Sequence, residues 1–182
     1  MTAKRYLIKV ENGLQTLEEY IGPVAGLAPL AQELFPYAWH SSRSPLPVNA
    51  QTWAFAFLPD FSMRATAMEI AISATGGTWT NLGIYDEVGA LLAQTGHFAP
   101  ISGAVQSVPL LEPVGLVGGN LYYMAISTND AGNIQTYSMR TGGYTGADLP
   151  LVQRGGAGDM PVTLGAPSVG TALRPWMAVI GE

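Results

Sequence analysis

Residues 52–58 read Thr-Trp-Ala-Phe-Ala-Phe-Leu, and this stretch decides the fold class. Successive side chains of an extended chain point to opposite faces, so Trp53, Phe55 and Phe57 share one face and the intervening alanines share the other. Alternation with a period of two residues is typical of a β-strand. Because both faces carry mainly apolar side chains, we expect this strand to be buried on both sides.

The stretch 63–73 alternates in the same way: its even positions from 66 to 72 are Thr, Met, Ile and Ile, and its odd positions are mostly alanine. An amphipathic helix is the alternative interpretation of such an alanine-rich segment. The sustained alternation and the Gly76-Gly77 turn favour a strand. Glu69 is the only acid within it, and we expect this side chain to face outward into solvent.

Further strands are expected along the rest of the chain, separated by glycine-containing turns such as Gly89, Gly103 and Gly118-Gly119. They cover residues 78–85, 91–95, 105–111, 121–128, 133–139 and 173–180. The 22 glycines and 13 prolines among 182 residues supply many turns, and no ten-residue helical pattern intervenes. This spacing predicts an all-β fold, an antiparallel and jelly-roll-like β-sandwich.

The N-terminal residues form a separate feature, in which Asn12-Gly13 lies between two apolar runs. Such a dipeptide favours a type I′ turn and therefore a β-hairpin. An isolated hairpin is only marginally stable, so it has to lie against another protein or against its own sandwich, and both alternatives stay open. The residues of this candidate anchoring arm are Tyr6, Leu7, Ile8, Val10, Leu14 and Leu17.

Residues 21–50 are rich in glycine, proline and serine and read as a connection. Within them, residues 30–35 are expected to form one or two helical turns that Pro36 ends. Residues 36–50 have the composition of an extended linker. We therefore divide the chain into an arm, hairpin and linker over residues 1–50 and a β-sandwich domain over residues 51–182.

The composition excludes several classes of function. Charged residues make up only 12% of the chain, which suggests that neighbouring proteins cover part of its surface. The first nine residues carry a net charge of +3 and the remainder −8, and an acidic body argues against nucleic acid as a partner. No apolar run approaches the roughly 20 residues of a membrane span, so membrane insertion is not expected. Residues 1–17 lack the apolar stretch of a signal peptide, which predicts folding in a cytoplasm.

No catalytic, cofactor-binding or metal-binding residue is predicted, and the chain is not expected to be an enzyme. It has no cysteine and only two histidines, His40 and His97, which lack the spacing of a metal site and are expected to be solvated loop residues. No Gly-x-Ser-x-Gly motif is present. Residues 129–133, Asn-Asp-Ala-Gly-Asn, suggest a hairpin turn rather than a calcium loop, because they offer only one carboxylate.

The central segment carries a resemblance to a known group of proteins. Residues 80–86 read Thr-Asn-Leu-Gly-Ile-Tyr-Asp, residues 91–96 read Leu-Leu-Ala-Gln-Thr-Gly, and residues 118–126 read Gly-Gly-Asn-Leu-Tyr-Tyr-Met-Ala-Ile. With these strings, residues 52–139 resemble a domain that recurs in the tail-fibre, baseplate and head-fibre proteins of tailed bacteriophages. The resemblance implies a virion protein made in the host cytoplasm, present in trimeric or otherwise repeated copies. Some related domains bind host-surface glycans, which makes such a glycan a candidate partner. The order of arm, linker and sandwich suits a fibre subunit whose arm docks on other virion proteins.

Exposed aromatic residues are the candidate contacts with a partner or a sugar, since their faces stack on the apolar side of a pyranose. The candidates are Trp39, Trp79, Tyr85 and Tyr144. Trp79 and Tyr85 flank Gly83, whose missing side chain leaves space for an aromatic ring or a neighbouring backbone to pack closely. A virion structural protein, with a trimer favoured, is the first hypothesis. A carbohydrate-binding module is the alternative.

Overall fold

The structure of the protein is a computed structural model that describes residues 6–11, 14–19, 30–33, 42–45, 52–74, 79–128, 135–140, 159–164 and 173–182. All regular structure in these ranges is β-strand. The strands are β1 (Tyr6–Glu11), β2 (Leu14–Glu19), β3 (Leu30–Glu33), β4 (Ser42–Pro45), β5 (Thr52–Phe57), β6 (Met63–Ala74), β7 (Thr80–Tyr85), β8 (Leu91–Gln94), β9 (Ala104–Leu116), β10 (Tyr122–Thr128), β11 (Gln135–Arg140), β12 (Leu173–Pro175) and β13 (Met177–Gly181).

Two antiparallel sheets form the body of the protein. The smaller sheet has the strand order β5-β10-β7-β8. The larger sheet has the order β12-β11-β6-β13-β3, with β9 added on β6 and β4 added on β11. The predicted all-β sandwich is therefore confirmed. Within the described ranges, no helix is long and apolar enough to cross a membrane.

The core lies between the two sheets and follows from the alternation in β5. Trp53, Phe55 and Phe57 all face it, as the sequence predicts, and Phe55 is opposite Met124 of β10 in register. The larger sheet contributes buried residues such as Met68 of β6. Burial of each large apolar side chain stabilises the fold by roughly 1.5–3 kcal/mol, so this shared core holds the sheets together.

Strand β6 is the centre of the larger sheet and confirms the strand interpretation of residues 63–73. It pairs with β9 on one side and with β13 on the other. A bulge interrupts the first pairing, since Ala65 lies opposite Val114 while Ala67 lies opposite Pro109. Glu69 is half-buried and lies in register between Ser107 and Ala178.

The helical turns predicted from residue 30 are wrong over the described residues, because Leu30–Glu33 form strand β3. This strand pairs with β13, where Gln32 lies opposite Val179. The buried Gln32 side chain also accepts a hydrogen bond at 3.0 Å from the backbone N–H of Asp60. A helix this short gains few hydrogen bonds for the cost of nucleation, so pairing with an available strand is favoured.

Two features precede residue 51. Strand β4, in the predicted linker, pairs with β11, so both β3 and β4 contribute to the larger sheet. Strands β1 and β2 pair with each other in a two-stranded sheet, with Ile8 opposite Leu17, which confirms the predicted hairpin pairing. Asn12-Gly13 lies outside the described residues. An anchoring role for residues 1–50 stays a prediction.

Candidate functional site

The outer face of the smaller sheet carries a row of small residues. Ala54 of β5 lies opposite Ala125 of β10, and Ala125 lies opposite Gly83 of β7. A second row beside it contains Tyr123 and Tyr85, which are also opposite each other. The small residues leave a shallow groove on the outer face of β5, β10 and β7, with the two tyrosines on one side of it.

Residues 159–164, Asp-Met-Pro-Val-Thr-Leu, lie along this groove, and we call them the clasp. Leu91 N–H donates to the Val162 carbonyl at 2.9 Å, and Leu164 N–H donates to the Gly89 carbonyl at 2.7 Å. These two bonds flank the pair formed by Ala90 and Thr163, so the clasp adds a short antiparallel strand beside the turn that joins β7 to β8.

Side chains of the clasp fill space that glycine leaves free. A Cβ on Gly83 would lie 3.2 Å from the Met160 sulfur, so the thioether rests where a larger residue would stand. A Cβ on Gly89, whose φ is +85°, would lie 3.1 Å from that of Leu164. Met160 and Leu164 are both buried with Tyr85 in a second apolar cluster. A close neighbour is therefore present at Gly83, but the nearest atom belongs to the Met160 side chain and not to the expected aromatic ring or backbone.

Tyr85 is a packing residue of this cluster. Its side chain is fully buried, and its hydroxyl donates to the carbonyl of Pro161 at 2.8 Å. Burial raises the pKa of the Tyr85 phenol well above its ordinary value of 10.0. Contact with a ligand at Tyr85 would require the clasp to leave, so this residue does not form part of an exposed surface.

At the end of the sandwich where β7 begins, the clasp is attached to an aromatic pair. The rings of Trp79 and His97 stack with centroids 4.1 Å apart and an interplanar angle of 11°. His97 Nε2 lies 3.0 Å from Asp159 Oδ1, and both side chains are exposed. His97 is thus a surface residue, as predicted, but with two partners. The sequence shows no sign of this arrangement because Asp159 is distant along the chain.

A row of polar residues continues the outer face beyond the groove. Thr52, Ser127 and Asn81 are buried and lie in register across β5, β10 and β7. Asn81 donates to Gln94 Oε1 at 2.9 Å and accepts from the Thr95 hydroxyl at 3.2 Å. The hydroxyls of Thr52 and Ser127 are buried and have no hydrogen-bond partner among the described residues.

The opposite end of the sandwich carries exposed apolar side chains beside the exposed acids Asp60 and Glu87, and we call it the apolar end. Strand β5 ends and β10 begins there, since Phe57 lies opposite Tyr122, and β7 ends beside them. The loop after β5 is tied to the loop before β10 by hydrogen bonds from Gly119 N–H to the Pro59 carbonyl and from Gly118 N–H to the Ser62 hydroxyl. Four exposed side chains at this apolar end are Leu58 (60% exposed), Phe61 (38%), Val88 (75%) and Val117 (53%).

The remaining predicted residues fall into two groups. Trp39, Tyr144, His40 and residues 129–133 lie outside the described residues, and for the arm residues Tyr6, Leu7, Ile8, Val10, Leu14 and Leu17 only the strand pairing is described.

Asp86 caps its turn, since its Oδ1 accepts from the N–H groups of Val88 and Ala90. Within the described ranges, no group of three or more His, Cys, Asp or Glu side chains is placed to hold a metal ion.

The sequence matches no protein-family model, and it has no significant match among curated proteins.

Proposed function

We propose that the chain is a structural subunit of a tailed-bacteriophage virion, of tail-fibre, baseplate or head-fibre type. It assembles with copies of itself, docks on other virion proteins through its N-terminal arm, and contributes to attachment at the host surface. The sequence strings in residues 80–126 that resemble such proteins support this proposal. The observation that supports self-assembly is the apolar end, where three loops each present exposed apolar side chains on a chain with few charges.

Burial by a neighbouring copy would remove this apolar end from water. Covering Leu58, Phe61, Val88 and Val117 stabilises an assembly by roughly 25 cal/mol for each Å² of apolar surface. The hydrogen bonds between the two loops already fix the backbone that presents Phe61 and Val117, so little ordering is lost on association. A preorganised apolar surface suits a permanent contact between subunits.

The edge of strand β9 favours contact through the end of the sandwich rather than through strand addition. Pro109 and Pro113 lack the N–H groups that a neighbouring strand would need, and the bulge opposite Ala65 and Ala67 distorts the strand between them. Glu112 adds an exposed charge in the same stretch. Assembly through discrete end surfaces is consistent with closed oligomers. The resemblance to phage structural proteins favours a trimer among them.

Sedimentation velocity on the full chain tests self-assembly. We expect an oligomer of the 19.2 kDa chain, and we expect Leu58→Asp and Val117→Asp to shift it towards the monomer. Ile101→Asp is the matched control, because Ile101 is similarly exposed but lies in the turn before β9, away from the apolar end. A monomeric wild-type chain, or equal effects of all three substitutions, contradicts the proposal.

Particles assembled without the protein test its place in a virion. Electron microscopy is expected to show missing fibre, baseplate or head-fibre density, together with reduced adsorption to host cells. Intact and fully infectious particles contradict this assignment.

A carbohydrate-binding module is the second candidate, favoured by the group of Trp79, His97 and Asp159. An aromatic ring beside an exposed carboxylate supplies both a stacking face and a hydroxyl acceptor for a sugar. A glycan array with the full chain tests it, with Trp79→Ala compared with Ile101→Ala. Binding that Trp79→Ala abolishes and Ile101→Ala retains supports this candidate, whereas silence of the wild-type chain rejects it.

A further inference from the structure

The clasp makes its contacts with residues that are far from it in sequence. Its backbone pairs with residues 89–91, its Met160 rests over Gly83, and its Asp159 reaches His97. None of these contacts depends on the identity of the chain that supplies the clasp. A second copy of the protein offers a groove with the same residues in the same geometry.

The connections to the clasp are long enough to reach a neighbouring copy. Eighteen residues separate β11 from the clasp and eight separate the clasp from β12. Fully extended, these connections span at most about 60 Å and about 27 Å. A domain of this length has a radius of gyration of about 16 Å, so even the shorter connection reaches the surface of a copy in contact.

The clasp also reaches the apolar end, where copies of the chain are proposed to meet. The clasp runs from His97 at one end of the sandwich to the turn joining β7 and β8 at the apolar end. There Val162, whose carbonyl accepts from Leu91 N–H, has an exposed side chain, and Val88 of that turn is exposed as well. A neighbour that covers the apolar end therefore lies next to the last three residues of the clasp.

We infer that the clasp is an exchangeable segment, and that in the assembled protein the clasp of one copy occupies the groove of the next. This inference rests on the proposed self-assembly, because exchange needs a neighbouring copy. Exchange preserves every contact of the clasp, so its free-energy difference from the closed monomer is small. Contact between copies at the apolar end then favours exchange of the clasp, because it raises the effective concentration of the neighbouring groove.

Disulfide formation between single-cysteine variants tests the exchange, since the chain has no cysteine of its own. Ala90 and Thr163 form a non-hydrogen-bonded antiparallel pair, in which Cα atoms lie about 4.5 Å apart, within the range that a disulfide spans. Ala90→Cys and Thr163→Cys chains are unfolded together, refolded, oxidised and separated on a non-reducing gel. Ile101→Cys mixed with Thr163→Cys is the control for random collision.

Exchange predicts a disulfide-linked dimer in the first mixture and none in the control. The double variant Ala90→Cys, Thr163→Cys reports whether the pair can close at all. An oligomeric protein in which only the double variant forms a bond, and only within one chain, overturns the exchange but leaves self-assembly standing. A monomer by sedimentation overturns both. Equal crosslinking in the mixture and the control also overturns the exchange.

Discussion

The carbonyl oxygen of Arg64 occupies the space that a Cβ on Gly181 would need. The two strands are held at this short separation by paired backbone bonds, in which Arg64 N–H donates to the Glu182 carbonyl at 2.8 Å and Glu182 N–H donates to Arg64 at 3.1 Å. The Arg64 guanidinium also contacts the Glu182 carboxylate at 2.9 Å. Position 181 therefore admits only glycine without a shift of the strand.

Gly181→Ala is expected to destabilise the protein by about 2–3 kcal/mol, because the added methyl group meets backbone rather than a flexible side chain. Urea unfolding followed by tryptophan fluorescence measures the change. Gly115→Ala is the matched control, since Gly115 lies opposite the same Arg64 from β9 and has open space around its Cα. A loss below about 0.5 kcal/mol for Gly181→Ala, or equal losses for both variants, would show that the close approach is not restrictive.

Met160→Ala is expected to open the clasp, because it removes the side chain that rests over Gly83. A loss of about 2 kcal/mol in the stability of the clasp is at the lower end for a buried methionine. It speeds amide hydrogen exchange through local opening by roughly 30-fold. Amide hydrogen exchange at Leu91 and Leu164 measures it, since these N–H groups bond across the clasp. Val162→Ala, at an exposed position, is expected to leave both rates unchanged. Unchanged exchange in Met160→Ala would contradict a role for this side chain in holding the clasp.

Tyr85→Phe is expected to lower stability at neutral pH by about 1 kcal/mol through loss of the bond to Pro161. Above pH 10 the difference from wild type should shrink. The pKa of Tyr85 is raised in the folded state, so the unfolded chain releases this proton first, and stability present below about pH 10 is lost as the pH rises further.

Denaturant unfolding between pH 8 and pH 11 measures the difference in the free energy of unfolding between the wild type and Tyr85→Phe. Tyr123→Phe is the control, because Tyr123 is half-buried on the same face, directly opposite Tyr85. We expect Tyr123→Phe to retain the alkaline loss of stability seen in the wild type. An alkaline slope that Tyr85→Phe leaves unaltered would assign that loss to other groups.

Ser127→Ala is expected to be neutral or slightly stabilising, because the hydroxyl that it removes is buried and finds no hydrogen-bond partner in the described part of the chain. Thr95→Val is the contrasting variant. Its hydroxyl accepts from Leu82 N–H at 3.0 Å and donates to Asn81, so its removal should destabilise by about 1–3 kcal/mol. Thermal unfolding compares the two. Similar losses would mean that the Ser127 hydroxyl has a bonding partner in solution.

The sequence predicts the sandwich well because alternation reports directly on burial. The aromatic residues of β5 must face a core whatever the neighbouring strands are, so Trp53 and Phe55 are placed correctly from their spacing alone. Residues 30–33, Leu-Ala-Gln-Glu, carry no such pattern: this short segment between two prolines forms a strand only because it pairs with the edge of β13. That information lies in residues 177–181, far from the segment itself.

The candidate site is less visible in the sequence for a related reason. Alternation places Tyr85 on the outer face of its strand but does not report that Met160 and Pro161 cover that face. The pairing of His97 with Asp159 likewise joins two unremarkable loop residues. Only Gly83 gives a local signal, since a glycine inside an apolar strand indicates a close neighbour.

The space left by the missing side chain of Gly83 fixes the register of the segment that lies across it. A continuous row of alanines would let an extended segment pack in several registers. The space over the single Gly83 accepts the thioether of Met160 in only one register. Slippage by one residue would turn that thioether towards water and bring a proline or an aspartate over Gly83. Gly83 thereby sets the register of the segment that packs over it, whichever copy of the chain supplies that segment.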